Sequence, residues 1–338
     1  MELFLLAAAG CLLGLAVHCF RNLDSFSSQT SFYYREEVVT REQMQDLWEN
    51  TSEDAGREIE SMVLFRTRGE MKVANPNLNR KTKAEVMEAA GDMRLILPGK
   101  LMMGSFVSDS DELGCVISKK TAEDLFSSYE VLNQILYLEE ESYYIRGVLD
   151  LKEELCVVQG ARGTAYPSVR VDAPGLPLSA VQQLLAGILP SDYEVLSEGI
   201  LYCGIGRIFL WFPAWVVLYY GIHRGRKQIR RLESRCCKGR QEKVRLEIFK
   251  VALPVISFSG ICGILLGSFS FSNDYIPTSW SDFAFWTELL DQKWSDFLGL
   301  AEHQWSICDS VMLSHFFCTF GASVMCGVLL VIWLQEQK

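Results

Sequence analysis

The chain has 338 residues, 49% of them hydrophobic, with 32 Lys+Arg against 42 Asp+Glu and a net charge of −10. That length fits one large domain or two small ones. No Walker phosphate loop occurs anywhere, which excludes ATP hydrolysis by that chemistry, and the single basic cluster lies between apolar runs, which sets aside a nucleic-acid patch.

The first apolar segment, Leu3–Phe20, lacks the basic start of a secretory signal. Ala8–Cys11 faintly resembles a lipoprotein cleavage box, but the apolar run continues past it to Phe20, as in an uncleaved anchor. Gly10 and Gly14, four apart, form a small-residue face suited to close helix packing. Three more segments are long and apolar enough to cross a hydrocarbon core of about 30 Å: Ile205–Ile222, Val251–Phe271 and Val311–Leu334.

Charge orients these segments. Residues 222–250 hold 11 basic and three acidic side chains, whereas residues 21–202 hold 18 basic and 30 acidic, and residues 272–310 one basic (Lys293) and seven acidic. Lys and Arg concentrate in cytoplasmic loops, so the basic stretch lies inside, both acidic stretches lie outside and both termini are cytoplasmic. The expected fold is an α+β extracytoplasmic domain inserted between the first and second of four transmembrane helices. Its parts are helix 1 at 1–20, the domain at 21–202, helix 2 at 203–222 and the basic cytoplasmic loop at 223–250. Helix 3 follows at 251–271, an extracytoplasmic aromatic segment at 272–310, helix 4 at 311–334 and a cytoplasmic tail at 335–338.

Within 21–202, FYYREEVVT reads as a strand and Thr40 with Gln43 as a capping box for the helix REQMQDLWEN. SMVLFR and EMKVA read as strands, KTKAEVMEAA as a helix closed by Gly91. GCVIS reads as a buried strand, Ser118 as the cap of helix KKTAEDLF, and QILYL with YYIRGVL as a hairpin turned at Glu139–Glu141. LCVVQG and SVRVDA are strands, PLSAVQQLLAGIL an amphipathic helix and YEVLSE a closing strand. Of the 11 cysteines only Cys115 and Cys156 belong to this domain, and one bridge or two buried free thiols both fit them.

Helix 3 carries Gly260, Gly263 and Gly267 at helical spacing, again a close-packing pattern. Beyond it Trp280, Phe283, Trp286, Leu290, Trp294 and Phe297 recur every three or four residues, with acids on the other face. A helix lying at the outer headgroup level and a helix docked on the outer domain both fit this aromatic stripe. Arg207 is the charged residue inside a spanning segment, near its outer end, where its stem can snorkel to the headgroups. No nucleophile–base pair, metal cluster or cofactor motif appears, so neither enzyme nor cofactor is expected.

The stretch Leu97–Asp150 resembles the core of the extracytoplasmic domain of MacB-like ABC transporter permeases. The resemblance rests on Gly104–Phe106, an acidic loop at Ser108–Glu112, the strand Val116–Ser118, the helix Ala122–Phe126 and the motif Tyr144–Val148. It implies a permease that pairs with a second permease and docks on a separate cytoplasmic ATPase, passing ATP-driven motion to a bacterial exporter's outer domain. Substrates in such families include peptides, lipoproteins and toxins; in the related FtsX-like branch the protein transports nothing and regulates a cell-wall hydrolase. By this resemblance Arg226, Lys227, Ile229, Arg230, Arg231 and Leu232 are the ATPase-docking candidates. RKQIRRLESRCCKG departs from the family's pattern by lacking the glycine before Ser234, and the aromatic insert at 272–310 has no counterpart in it.

Overall fold

The computed structural model describes residues 2–51, 59–235, 240–269, 272–275, 283–302 and 306–336. In chain order the elements are α1 (Glu2–Asp24), β1 (Gln29–Tyr33), β2 (Val39–Thr40), α2 (Arg41–Thr51), β3 (Ser61–Asn75) and β4 (Arg80–Gly91). Next come β5 (Leu101–Gly104), β6 (Gly114–Ser118), α3 (Lys119–Phe126), β7 (Ile135–Leu138), β8 (Glu141–Leu149) and β9 (Leu155–Gln159). Then β10 (Ala165–Tyr166), β11 (Ser168–Asp172), α4 (Leu178–Leu185), β12 (Val195–Glu198) and α5 (Gly199–Leu210) follow. The chain closes with α6 (Phe212–Arg235), α7 (Arg240–Ser268), α8 (Phe283–Glu302) and α9 (Ile307–Glu336).

Two compact units divide the chain. A helical unit comprises Met1–Ser27, Gly199–Phe271 and Met312–Lys338; a sheet unit comprises Ser28–Glu198 and Ser272–Val311. Four stretches of the described chain are long and apolar enough to cross a membrane: Leu3–Asp24, Gly199–Glu233, Leu246–Ser268 and Ile307–Glu336.

The sheet unit is built on ten strands in the order β12-β1-β11-β3-β4-β9-β6-β8-β5, with β7 bridging β3 and β8. Most neighbours run antiparallel, but β4–β9 and β6–β8 are parallel, so the sheet is mixed. Two apolar cores form along it. One gathers Phe32, Leu64, Val169 and Leu196 under Met44 of α2 and Val181 and Leu185 of α4. The other gathers Val73, Val86, Ile117, Ile145 and Val158 under Ala122 and Leu125 of α3. Both cores draw on the same long pair, β3 and β4, whose register shifts between Thr67 and Gly69.

Local sequence signals explain several elements. Gln43 N–H donates to Thr40 Oγ1 at 3.3 Å while Thr40 N–H donates to Gln43 Oε1 at 2.9 Å, the reciprocal capping box that starts α2. Ser118 accepts from Thr121 N–H at 3.2 Å and starts α3. The hairpin β7–β8 turns at Glu139 and Glu140, with Glu139 at φ +55°.

Three expectations need correction. KTKAEVMEAA is not a helix but most of β4, held between β3 and β9, and Gly91 ends that strand at φ +102° instead of capping a helix. SMVLFR and EMKVA are not separate strands; they form the single β3. FYYREEVVT is not one strand: β1 ends at Tyr33 and β2 begins only at Val39. Arg207 donates to Asp24 at 3.1 Å and lies over the Phe20 ring. The thiols of Cys115 and Cys156 are free and both buried. Mutual contact first, then burial, pushes the Cys115 thiol well above its ordinary range.

Candidate functional site

Register across β12, β1 and β11 sets one face of the sheet. Ser31 pairs with Arg170 on one side and Ser197 on the other, so the three side chains form one row, and Tyr33 follows two residues along on the same face. This row is opposite to Phe32, Val169 and Leu196, which enter the first core. A sheet with a polar row on its second face usually leaves that face in water. Here Arg170, Tyr33 and Ser197 are all buried, with Ser306 and Asp309 from far along the chain lying on them.

The cover delivers a carboxylate. Asp309, in the first turn of α9, accepts from Ser197 Oγ at 3.0 Å, from Ser306 Oγ at 2.9 Å and from the Tyr33 hydroxyl, and pairs with Arg170 at 3.4 Å. Arg170 further donates to Ser306 Oγ at 3.1 Å and to Gln29 Oε1 at 3.1 Å. Ser306 accepts from Asp309 N–H at 3.2 Å and so caps α9. Burial first, then the Asp309 charge, raises the Tyr33 hydroxyl well above its ordinary range, so it stays a proton donor. Burial is the largest influence on Arg170 and opposes its charge, but Asp309, with smaller help from Cys308, Tyr33 and Asp172, more than offsets it and keeps the guanidinium protonated.

A second buried carboxylate sits one residue beyond Ser197. Glu198, the last residue of β12, is gripped by Lys293 of α8 at 2.5 Å and by the Tyr275 hydroxyl. Lys293 also pairs with Asp296 at 3.3 Å. Around these contacts α8 lies on β12: Leu300 and Asp296 are buried, and a Cβ on Gly299 would stand 2.6 Å from Val195. Gln29, Ser197–Glu198 and Ser306–Asp309 therefore meet at one place, and each adjoins a point where the chain passes to or from an apolar helix.

The helical unit carries the basic stretch. Arg226, Lys227, Arg230 and Arg231 are exposed along the far half of α6, with Ile229 and Leu232 half-buried among them. A Cβ on Gly225 would come within 2.6 Å of Leu253, so α6 and α7 are tightly apposed there, and Lys250 joins Glu233 across the pair at 3.0 Å. Residues 236–239, between α6 and α7, lie outside the described residues. Gly260 approaches Leu218 and Gly267 the ring of Trp211, whereas Gly10, Gly14 and Gly263 have no atom within 4 Å of where a Cβ would stand.

Of the expected aromatic stripe, Phe283 and Trp294 stand exposed on α8, Trp286 and Phe297 are half-buried, and Trp280 lies outside the described residues. α8 does dock, through its face toward β12, with Leu300 and the charged side chains Lys293 and Asp296, while Phe283, Leu290, Trp294 and Leu298 stay exposed. Sequence reasoning missed Arg170, Asp309, Tyr33, Glu198 and Lys293. A lone arginine inside a β-branched strand and a lone lysine in an acidic segment were the available signals. Among the described residues no group of three His, Cys, Asp or Glu side chains is placed to hold a metal ion.

Of the motif residues in Leu97–Asp150, Ile117, Ala122, Leu125, Ile145 and Val148 enter the second core, with Phe126 packed against it. Gly104 ends β5 at φ +79°, where a Cβ would collide with the Arg146 backbone of β8. Asp111 of the acidic loop pairs with Arg146 at 2.6 Å.

No family model and no curated protein matches the chain. Among solved structures it is similar to the extracellular domain of the ABC-type transporter YknZ from Gram-positive bacteria, at 19% identity and a TM-score of 0.36, covering 46% of this chain and 87% of that one. It is also similar to the periplasmic region of MacB from Actinobacillus actinomycetemcomitans, at 11% identity and a TM-score of 0.42, covering 54% of this chain and 94% of that one.

Proposed function

We propose that the chain is the permease subunit of an ABC-type exporter or mechanotransmission complex in a bacterial cell membrane. A separate cytoplasmic ATPase drives it, and the sheet unit, outside, receives the motion. The observation that carries this reading is α6: one helix runs from an apolar span into an exposed basic end bearing Arg226, Lys227, Arg230 and Arg231. Lys and Arg concentrate on the cytoplasmic side, which supports an arrangement with both termini inside and the sheet unit outside. The motif residues of Leu97–Asp150 and the order of one helix, a large domain and three helices support the same class. The open small-residue face at Gly10 and Gly14 suits a second permease.

The test is co-purification in mild detergent followed by charge reversal at Arg226, Arg230 and Arg231. Reversal abolishes stimulation of the co-purified ATPase while the permease stays folded; undiminished stimulation sinks the docking role. The absence of the family's glycine before Ser234 favours a second reading, a non-transporting FtsX-like regulator that binds an extracellular protein. An adjacent ATPase reading frame supports the first reading and its absence the second.

A further inference from the structure

α8 packs on β12 with Leu300 and a set of charged side chains, and keeps a second, apolar stripe on its other side. Toward β12 it turns Lys293, Asp296 and Gln292, which bind Glu198, each other and the Tyr193 hydroxyl. Away from β12 it turns Phe283, Leu290, Trp294 and Leu298, which are 77%, 68%, 62% and 46% exposed. At 3.6 residues per turn these four fall within roughly 80° of arc, a continuous apolar stripe about 20 Å long or more. Monomeric soluble surfaces rarely present such a stripe.

Chain connectivity says what lies near it. Glu198, which Lys293 holds, is followed at once by Gly199, the first residue of an apolar span. At the other end, residues 303–306 are all that separate α8 from α9, a tether of at most about 18 Å. Between α7 and α9, then, α8 has spans on both sides in sequence and is held against a strand that runs straight into a third. Tryptophan, phenylalanine and leucine on one face are the side chains that settle at the boundary between headgroups and acyl chains. The lysine of α8 is engaged inward, and Glu288 and Asp291 flank the stripe, so attraction to anionic headgroups contributes nothing.

We infer that α8 is an interfacial seat: its Phe283–Leu290–Trp294–Leu298 stripe rests in the phospholipid surface beside the sheet unit, while Lys293 fastens the helix to the last residue of β12. This goes beyond the coupling reading and needs only that α7 and α9 span the bilayer; it stands whether or not an ATPase docks on α6.

The full chain, purified and placed in phosphatidylcholine nanodiscs, tests it. The emission that Trp294→Phe removes isolates Trp294. Phosphatidylcholine brominated near the headgroup end of its acyl chains should quench that emission roughly twofold, and aqueous acrylamide should leave it unchanged, as for an indole at the interface. Leu290→Trp in the Trp294→Phe background moves the indole one turn along the stripe and keeps the lipid quenching. Ser295→Trp in the same background moves it toward the acidic flank, where acrylamide quenches it instead. Quenching of Trp294 by acrylamide but not by lipid overturns the proposal in favour of an exposed face. Shielding from both quenchers overturns it in favour of a contact with a second copy, and loss of lipid quenching at high salt overturns the apolar seat.

Discussion

Arg170 on β11 and Asp309 in the first turn of α9 form an ion pair at 3.4 Å with each side chain only 1% exposed. Tyr33, Ser197 and Ser306 donate further hydrogen bonds to the carboxylate, and Gln29 and Ser306 accept from the guanidinium. Removing one partner of such a pair leaves an uncompensated buried charge, which costs far more than removing both.

Arg170→Met alone should therefore destabilise the chain by about 3–5 kcal/mol. The double variant Arg170→Met/Asp309→Leu should lose clearly less than the sum of the single losses, because neither charge is then stranded. Thermal unfolding of the purified chain and its three variants gives the double-mutant cycle. Strict additivity would show that the two groups do not act as a pair.

The glycines of α7 separate by what faces them. A Cβ on Gly267 would stand 2.5 Å from the Trp211 ring, whereas Gly263 meets nothing within 4 Å. Gly267→Ala should cost about 1–3 kcal/mol by overpacking a rigid ring. Gly263→Ala should gain up to about 1 kcal/mol from helix propensity alone. Thermal stability read beside the near-ultraviolet dichroism of tryptophan tells the two apart; equal effects would mean that Trp211 does not pack there.

Glu85 of β4 lies directly opposite Glu70 of β3. Burial first, then repulsion from Glu153 and Glu70, raises its carboxyl above the usual range. A raised folded value means that the stabilising protonated form is fully present below the ordinary carboxylate range and is lost as pH rises through the raised value. Glu85→Gln should accordingly stabilise the chain at pH 7, by about 0.5 kcal/mol, the scale of a like-charge pair across a strand. The gain should vanish near pH 4. Melting temperatures at the two pH values decide it, and an equal gain at both would remove the titration from the explanation.

Local chemistry was readable wherever neighbours in sequence settle the geometry: the Thr40–Gln43 box, the Ser118 cap and the hairpin turned at Glu139 all depend on contacts a few residues apart. KTKAEVMEAA misled because Lys, Glu and Ala favour helices, and only its place between β3 and β9 makes it a strand. Arg170 was hidden for a different reason. It shares a strand face with Ser168 and Asp172, and nothing near it in sequence reveals that Ser306 and Asp309 return to meet it. The apolar spans were legible because length and hydropathy alone define them. The buried polar cluster was not, because its members come from four separated strands and helices.

The two cores of the sheet unit hang from one uninterrupted pair of strands, β3 and β4, with the Thr67–Gly69 bulge between them and Gly69 at φ +81° in open space. Sliding β3 past β4 by a single residue would turn the apolar side chains that β3 gives to both cores away from them. Bending at the bulge exposes none of them. The bulge thus turns one strip of sheet from the first core to the second without giving up the register that holds either.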